Sequence, residues 1–150
     1  MNIAVAFDHR GVRLRNAVLA ALSEHDVIDL GTDSDAVRID YPDKARELGE
    51  AILDGRAERG ILVCGSGVGA AVAACKIAGI RAAICHDVYS AHQGVEHDDM
   101  NVLCLGSEVI GPSLAVERCP EEGADEVGGG ERYVQRLEKV AQMEREMSNG

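Results

Sequence analysis

Cys64-Gly65-Ser66-Gly67-Val68-Gly69 sets a thiol, a hydroxyl and three glycines between an apolar run ending at Cys64 and an alanine-rich stretch beginning after Val68. Glycines in such a turn admit backbone angles and close approaches that a side chain blocks, and successive N–H groups at a helix start favour negative charge. The chemistry this suggests is capture of an anion, or of an oxyanion that develops during a reaction. A tight strand-to-helix turn with no ligand is the plainer alternative. The turn is not the dinucleotide fingerprint, because it sits at the third strand and lacks that spacing, and no Gly-Lys-Ser/Thr follows to make it a Walker loop. Cys64 also has two readings: a small buried hydrophobe closing a strand, or a thiol whose thiolate the nearby N–H groups stabilise, usable as a base or nucleophile near neutral pH. Cys75, Cys85, Cys104 and Cys119 lack such a setting and read as structural or incidental.

Further polar residues stand at the ends of apolar runs. Asp8 and His9 follow the first, His86 and Asp87 follow the fourth, and His97, Asp98 and Asp99 precede the fifth. Ligands of open parallel sheets bind beyond the carboxyl ends of the strands, where strand order reverses. These groups are therefore expected to converge with the Cys64 turn at one sheet edge, where a histidine poised by a carboxylate can move protons. Each alone also fits a plainer role: Asp8 as a helix cap beside a solvated imidazole, His97-Asp98-Asp99 as a metal cluster or a polar loop. Arg132 and Arg136, four apart on one helical face, can grip a phosphate or simply be solvated.

The elements that must hold these residues are legible as short apolar runs alternating with stretches of helical period. Ile3 to Phe7, Val27 to Leu30, Ile61 to Cys64, Ile80 to Cys85 and Val102 to Leu105 read as strands. Leu14, Val18 and Leu22 mark a first helix, a second runs from near Pro42 to near Gly55, and a third runs from Val68 to Ala78 with Gly79 closing it. A fourth spans Val88 to Val95, a fifth begins at Gly111-Pro112, and the last runs from about Glu131 to Met147. The expectation is an α/β fold: a five-stranded, doubly wound parallel sheet, a Rossmann-like three-layer sandwich, with an extra C-terminal helix. One domain over 1–150 is expected, with its core in 1–118. Pro120 should end the fifth helix, and residues 119–130 lack an apolar period and read as a loop.

Composition narrows the partners. The 150 residues are 46% hydrophobic but 3% aromatic with no Trp, so Ala, Val, Ile and Leu must build the core, as between parallel strands and covering helices. A formal charge of −11 repels phosphate backbones and anionic lipid, so neither nucleic acid nor membrane is an expected partner. An anionic ligand must be caught by local amides or a few placed arginines. Five cysteines, with no C-x-x-C pair and no zinc spacing, indicate no disulfide framework, and no signal-type segment or membrane span is evident; a reduced cytoplasm is the expected compartment.

Phe7-Asp8-His9-Arg10-Gly11, Asp40-Tyr41-Pro42, the Cys64 turn, Ala78-Gly79-Ile80-Arg81-Ala82, Tyr89-Ser90-Ala91, His97-Asp98-Asp99-Met100-Asn101-Val102-Leu103 and Gly106-Ser107 together resemble ribose-5-phosphate isomerase B, whose family includes the galactose-6-phosphate isomerase subunits. The resemblance runs from Ile3 to about Val116 and resumes at Glu131. It implies aldose-ketose isomerisation of a sugar phosphate by proton transfer between C1 and C2 through an enediolate, with no metal or other cofactor. By position it implies Cys64 as base and His97 with Asp8 for ring opening. Ser66 and the amides of Gly65, Gly67, Val68 and Gly69 would hold the enediolate. His9, Arg132 and Arg136 would hold the phosphate, and Tyr41 would line the site. It also implies a homodimer, or a tetramer, with sites shared across the interface.

Several positions depart from that pattern. Glu108 stands where the family usually carries a phosphate-binding arginine, and a carboxylate there would repel phosphate. Asp98 replaces a frequent asparagine and can meet sugar hydroxyls only as an acceptor. Some relatives place a glutamate base on the helix after the turn, where this chain has Ala70. The segment Arg118 to Gly130 replaces an apolar helix. Ribose 5-phosphate and ribulose 5-phosphate are the first reading of the substrate pair; another sugar phosphate, tetrose or hexose, and a non-catalytic sugar-phosphate-binding domain are the alternatives.

Overall fold

The computed structural model describes residues 1–120 and 128–148. Strands β1 (Asn2–Phe7), β2 (Asp26–Asp29), β3 (Arg59–Cys64), β4 (Ala82–Ile84) and β5 (Val102–Gly106) alternate with helices α1 (Val12–Ala21), α2 (Tyr41–Leu53), α3 (Val68–Ala74), α4 (Val88–Asp98) and α5 (Pro112–Arg118), and α6 (Glu131–Ser148) follows. The five strands form one sheet in the order β2-β1-β3-β5-β4, with every neighbour parallel. This is the doubly wound α/β architecture expected from the alternation of strand and helix. The order reverses at β1 and β3, so the crevice for a ligand opens between their carboxyl ends.

The pleat of the sheet sorts the apolar residues into two layers. Ile3, Val5, Phe7, Ile61, Val63 and Leu105 face Leu14, Val18 and Leu22 around α1 and the Ala115 of α5. Ala4, Ala6, Leu62, Cys64, Val102 and Cys104 face Ala45, Leu48, Ala51, Ala70 and Ala74 of α2 and α3. The second layer uses small residues, which bring the helices close. A Cβ at Gly60 would lie 2.5 Å from Leu48 Cδ2, and one at Gly49 would lie 2.8 Å from Ile77 Cδ1. Each large aliphatic side chain buried in this way contributes about 1.5–3 kcal/mol.

Three elements differ in length from their sequence pattern. The third helix stops at Ala74, because the amides of Lys76 and Ile77 bond to Ala73 and Ala74 carbonyls in a tighter turn that left-handed Gly79 (φ +86°) closes. The strand expected from Ile80 shortens to Ala82–Ile84: the Ile80 amide returns to Ile77, and the Arg81 amide donates to Asn101 Oδ1. The fourth helix continues past Val95 to Asp98, where Asp99 takes the left-handed conformation (φ 48°, ψ 42°) that a short polar side chain tolerates.

The fifth helix ends at Arg118, and Cys119 before Pro120 is extended (ψ 142°), as the proline ring demands. Of the expected loop over 119–130, residues 121–127 lie outside the described residues. Helix α6 buries none of its residues. It is tied to the rest by packing on α4 and by Glu144 Oε1, which accepts the Gly79 amide at 2.9 Å. Among the described residues no helix is long and apolar enough to cross a membrane.

Gly11 shows how tightly the carboxyl edge is built, since a Cβ there would lie 2.1 Å from the Val63 carbonyl oxygen. Gly11→Ala should lower the unfolding free energy in urea by about 1–3 kcal/mol. Gly129→Ala, with nothing within 4 Å of the added Cβ and no left-handed φ, should stay within about 0.5 kcal/mol of the parent. Equal losses for both would contradict the contact as the cause.

Candidate active site

The Cys64 turn emerges at the carboxyl end of β3, clamped against the end of β5. Ser107 N–H donates to the Cys64 carbonyl and Glu108 N–H to the Gly65 carbonyl, both at 2.9 Å. Gly106 must lack a side chain because a Cβ would lie 2.5 Å from the Ser66 carbonyl oxygen. The three glycines of the turn have three separate causes. Gly67 is left-handed (φ +82°) and caps α3, Gly65 leaves room for the Arg10 guanidinium, and Gly69 leaves room for the Tyr41 ring. Tyr41, the first residue of α2, is thereby laid over the turn.

Within the turn, amides are already directed at side-chain acceptors. Gly67 N–H donates to Cys64 Sγ at 3.2 Å, and Val68 N–H donates to Ser66 Oγ at 3.2 Å. Cys64 is 4% exposed, whereas Ser66 is exposed. The other cysteines are set apart by their surroundings: burial holds the Cys104 thiol far above its usual range and pushes Cys119 up to about 12. Burial, then the Asp87 charge, raises Cys85, while exposed Cys75 donates to the Ala82 carbonyl at 3.1 Å. All five cysteines are free.

Asp8 follows β1 directly, its own amide bonded to the Val63 carbonyl at 3.0 Å. The carboxylate is buried, and Oδ1 accepts the amides of Arg10 at 2.9 Å and Gly11 at 2.7 Å, so it caps the approach to α1. His9 Nδ1 lies 3.1 Å from the amide of Ile39 and 3.2 Å from its carbonyl, which pins the loop before α2 to this edge. At the end of β4, the Gly106 amide donates to His86 Nε2 at 2.9 Å, so that nitrogen is unprotonated. Burial first, and the nearby Arg118 charge second, hold His86 below its usual value. Arg118 is itself buried and donates to the His86 carbonyl at 3.4 Å.

Glu108 does not stand unopposed at this edge. Its Oε1 lies 2.8 Å from Arg13 Nη1 and 3.9 Å from Arg10 Nη2. Sequence reasoning quoted Arg10 only as part of a motif and passed over Arg13. The available signal was the Arg-x-x-Arg spacing at the start of the first helix, facing an unexpected acid.

His97, Asp98, Arg132 and Arg136 do not join this group within one chain, and the expected convergence at one edge is corrected here. A crossover helix between parallel strands begins at the carboxyl edge and ends at the amino edge, so the last turn of α4 delivers His97 and exposed Asp98 to the far side of the sheet. There His97 stacks on Tyr133 with ring centroids 4.1 Å apart and planes 14° apart. Arg132 sits 4.7 Å from the Tyr133 centroid and donates to its hydroxyl. Arg136, one turn on, is exposed. Asp99, which the sequence offered with His97 for a metal cluster, pairs with Arg81 at 2.6 Å. No group of three or more His, Cys, Asp or Glu side chains capable of holding a metal occurs among the described residues.

The architecture is that of a doubly wound α/β protein with a thiol, a capped carboxylate and an amide-rich turn gathered at the carboxyl edge where strand order reverses. Residues 3–140 match the family model described as Ribose/Galactose Isomerase. Ribose-5-phosphate isomerase B of Escherichia coli is 43% identical over 145 residues, covering 95% of each chain. D-erythrulose-4-phosphate isomerase of Pectobacterium atrosepticum is 41% identical over 119 residues, covering 78% of each. The solved structure of Clostridium thermocellum ribose-5-phosphate isomerase B superposes with a TM-score of 0.89 at 35% identity, covering 98% of this chain and 99% of that one. The chain belongs to the ribose/galactose isomerase family and is an enzyme of that class.

The state of His86 has a consequence for stability. Its folded pKa lies below the unfolded value near 6.5, so the unfolded chain takes up the proton first. That contribution is whole above about pH 6.5 and is lost as pH falls toward the folded pKa. Urea titrations between pH 7.5 and 5 should show a fall that His86→Gln, which keeps an acceptor for the Gly106 amide, makes shallower. An identical slope in the variant would reject His86 as the source.

Proposed function

We propose that this chain interconverts ribose 5-phosphate and ribulose 5-phosphate, with Cys64 as the base that carries a proton between C2 and C1. The observation that carries the reading is the Gly67 amide donating to Cys64 Sγ at 3.2 Å inside a turn that opens beside Asp8 and His9. Enediolate formation requires a base aligned with the C–H bond and donors fixed where negative charge appears, the donors usually being the larger effect. The Cys64 sulfur takes the C2 proton of the aldose as the carbonyl π pair moves onto the oxygen at C1. The C2–H pair becomes the C1=C2 bond of the enediolate; transfer of the O2 proton to O1 and return of the proton from sulfur to C1 then give the ketose with its carbonyl at C2. Ser66 and the amides of Gly65 and Gly69 support the oxyanion, those of Gly67 and Val68 joining them on release from Cys64 Sγ and Ser66 Oγ, while Tyr41 covers the site over Gly69.

The remaining roles require a second copy. His97, assisted by Asp8, opens the furanose ring, Asp98 accepts from sugar hydroxyls, and Arg132 and Arg136 join His9 at the phosphate. Since α4 and α6 present these four residues at the amino edge, they reach the carboxyl edge of a partner in a homodimer. Unburied Val134, Val140, Met143 and Met147 along α6 suit such an interface. The cytoplasm, reducing toward free thiols, suits five unpaired cysteines.

A tetrose phosphate is the second substrate reading, favoured by the 41% identity to D-erythrulose-4-phosphate isomerase. Turnover measured across tetrose, pentose and hexose phosphates should be greatest on the pentose, and preference for the tetrose would replace the first reading. Cys64→Ala should abolish solvent deuterium exchange at C2 and cut kcat at least about a hundredfold, while leaving substrate affinity within a few-fold. Undiminished exchange would remove Cys64 as the base. Mixing inactive Cys64→Ala with inactive His97→Ala should regenerate activity as subunits exchange, and failure to do so after proven exchange would reject the shared site.

A further inference from the structure

We propose that Arg10 is a substrate-recognition residue of this chain, receiving the phosphate end of the sugar, and that Arg13 holds the Glu108 carboxylate that would otherwise oppose it. The proposal rests on the sugar-phosphate reading above. The position of a Cβ on Gly65 would lie 2.8 Å from Arg10 Cζ and 2.9 Å from both Nε and Nη1. Near-equal distances to three atoms of the planar group place its face flat on the first residue of the turn. Arg10 thus lies over the start of the turn while its side chain stays 57% exposed and open to a ligand.

The groups around Arg10 leave it able to turn to an anion. Its main chain is fixed at both ends, the amide by Asp8 Oδ1 at 2.9 Å and the carbonyl by Ser107 Oγ at 2.8 Å. Its pair with Glu108 spans 3.9 Å, beyond hydrogen-bond range, whereas Arg13 meets the same oxygen at 2.8 Å. Glu108 is itself placed by its amide on the Gly65 carbonyl, so positions 10 and 108 project beside the same turn residue. Two guanidinium groups face the Glu108 carboxylate, while the buried Asp8 carboxylate is taken up by the amides of Arg10 and Gly11. Arg13 neutralises Glu108, and Arg10 is left to form bidentate, charge-assisted bonds to phosphate oxygens.

The test compares ribose 5-phosphate kinetics with calorimetric binding of inorganic phosphate to the full chain. Arg10→Ala and Arg10→Gln should each raise KM and weaken phosphate binding by about 10- to 100-fold, the loss expected for charged hydrogen bonds, with kcat within about twofold. Arg56→Ala, removing an exposed arginine paired with Asp54, should change neither. Glu108→Arg combined with Arg10→Ala should recover most of the lost affinity, since both positions flank Gly65. Unchanged KM and phosphate affinity in both folded Arg10 variants would overturn the proposal. A parent that turns over no sugar phosphate but loses phosphate binding with Arg10 would sink the isomerase reading alone, and a parent that does neither would sink both.

Discussion

The carboxyl edge of the sheet is held by main-chain hydrogen bonds that extend the β3–β5 ladder one step past its last residue pair, Cys64 with Gly106. Ser107 and Glu108 donate to the two carbonyls that begin the turn, and this fixes the path of Ser66 over Gly106. The same logic reaches both neighbours: the Asp8 amide bonds to β3, and the Gly106 amide bonds to the imidazole at the end of β4. Each such bond is worth only about 0.5–1.5 kcal/mol net. Their value is positional, because the ends of β1, β3 and β5 are registered by main-chain groups that every sequence carries and the end of β4 by the His86 imidazole.

Much of this was readable from the chain. Apolar runs of strand length alternating with amphipathic stretches dictated parallel pairing, and the rule that ligands sit where strand order reverses pointed to Asp8 and Cys64. Less readable were contacts between residues far apart in sequence. Gly65 and Gly69 looked like room for a ligand, yet what occupies that room is Arg10 and Tyr41. Glu108 looked like a charge hostile to phosphate until Arg13 and Arg10 appeared opposite it. Neither partner can be read from the residues beside it, although the Arg10-x-x-Arg13 spacing marks one side of the second pairing. His97 differs in kind, because a residue next to a strand in sequence need not lie at that strand's ligand edge. Helix direction alone separates the two edges.

Charge is arranged with the same economy. A strongly acidic chain that must accept an anion needs cations where the anion arrives, and here they gather in two places: Arg10 and Arg13 beside the turn, and Arg132 and Arg136 on α6. In the function proposed above the two sets meet only across a subunit boundary. The Tyr133 ring, stacked on His97 and flanked by Arg132, then acts as the spacer that presents an acid-base group and a cation together.

The all-parallel sheet also bears on how the chemistry comes into being. Ile3 aligns with Arg59, and Gly60 with Val102, so no hairpin can assemble these strands locally. Long loops must close before either pairing stabilises anything, a topology associated with slow folding. The seven-residue α3 is too short to organise the turn by itself. A nascent or half-folded chain therefore lacks the clamp on the Cys64 turn, which closes only when β5 arrives, so the geometry of the carboxyl edge is a late product of folding rather than a property of the motif.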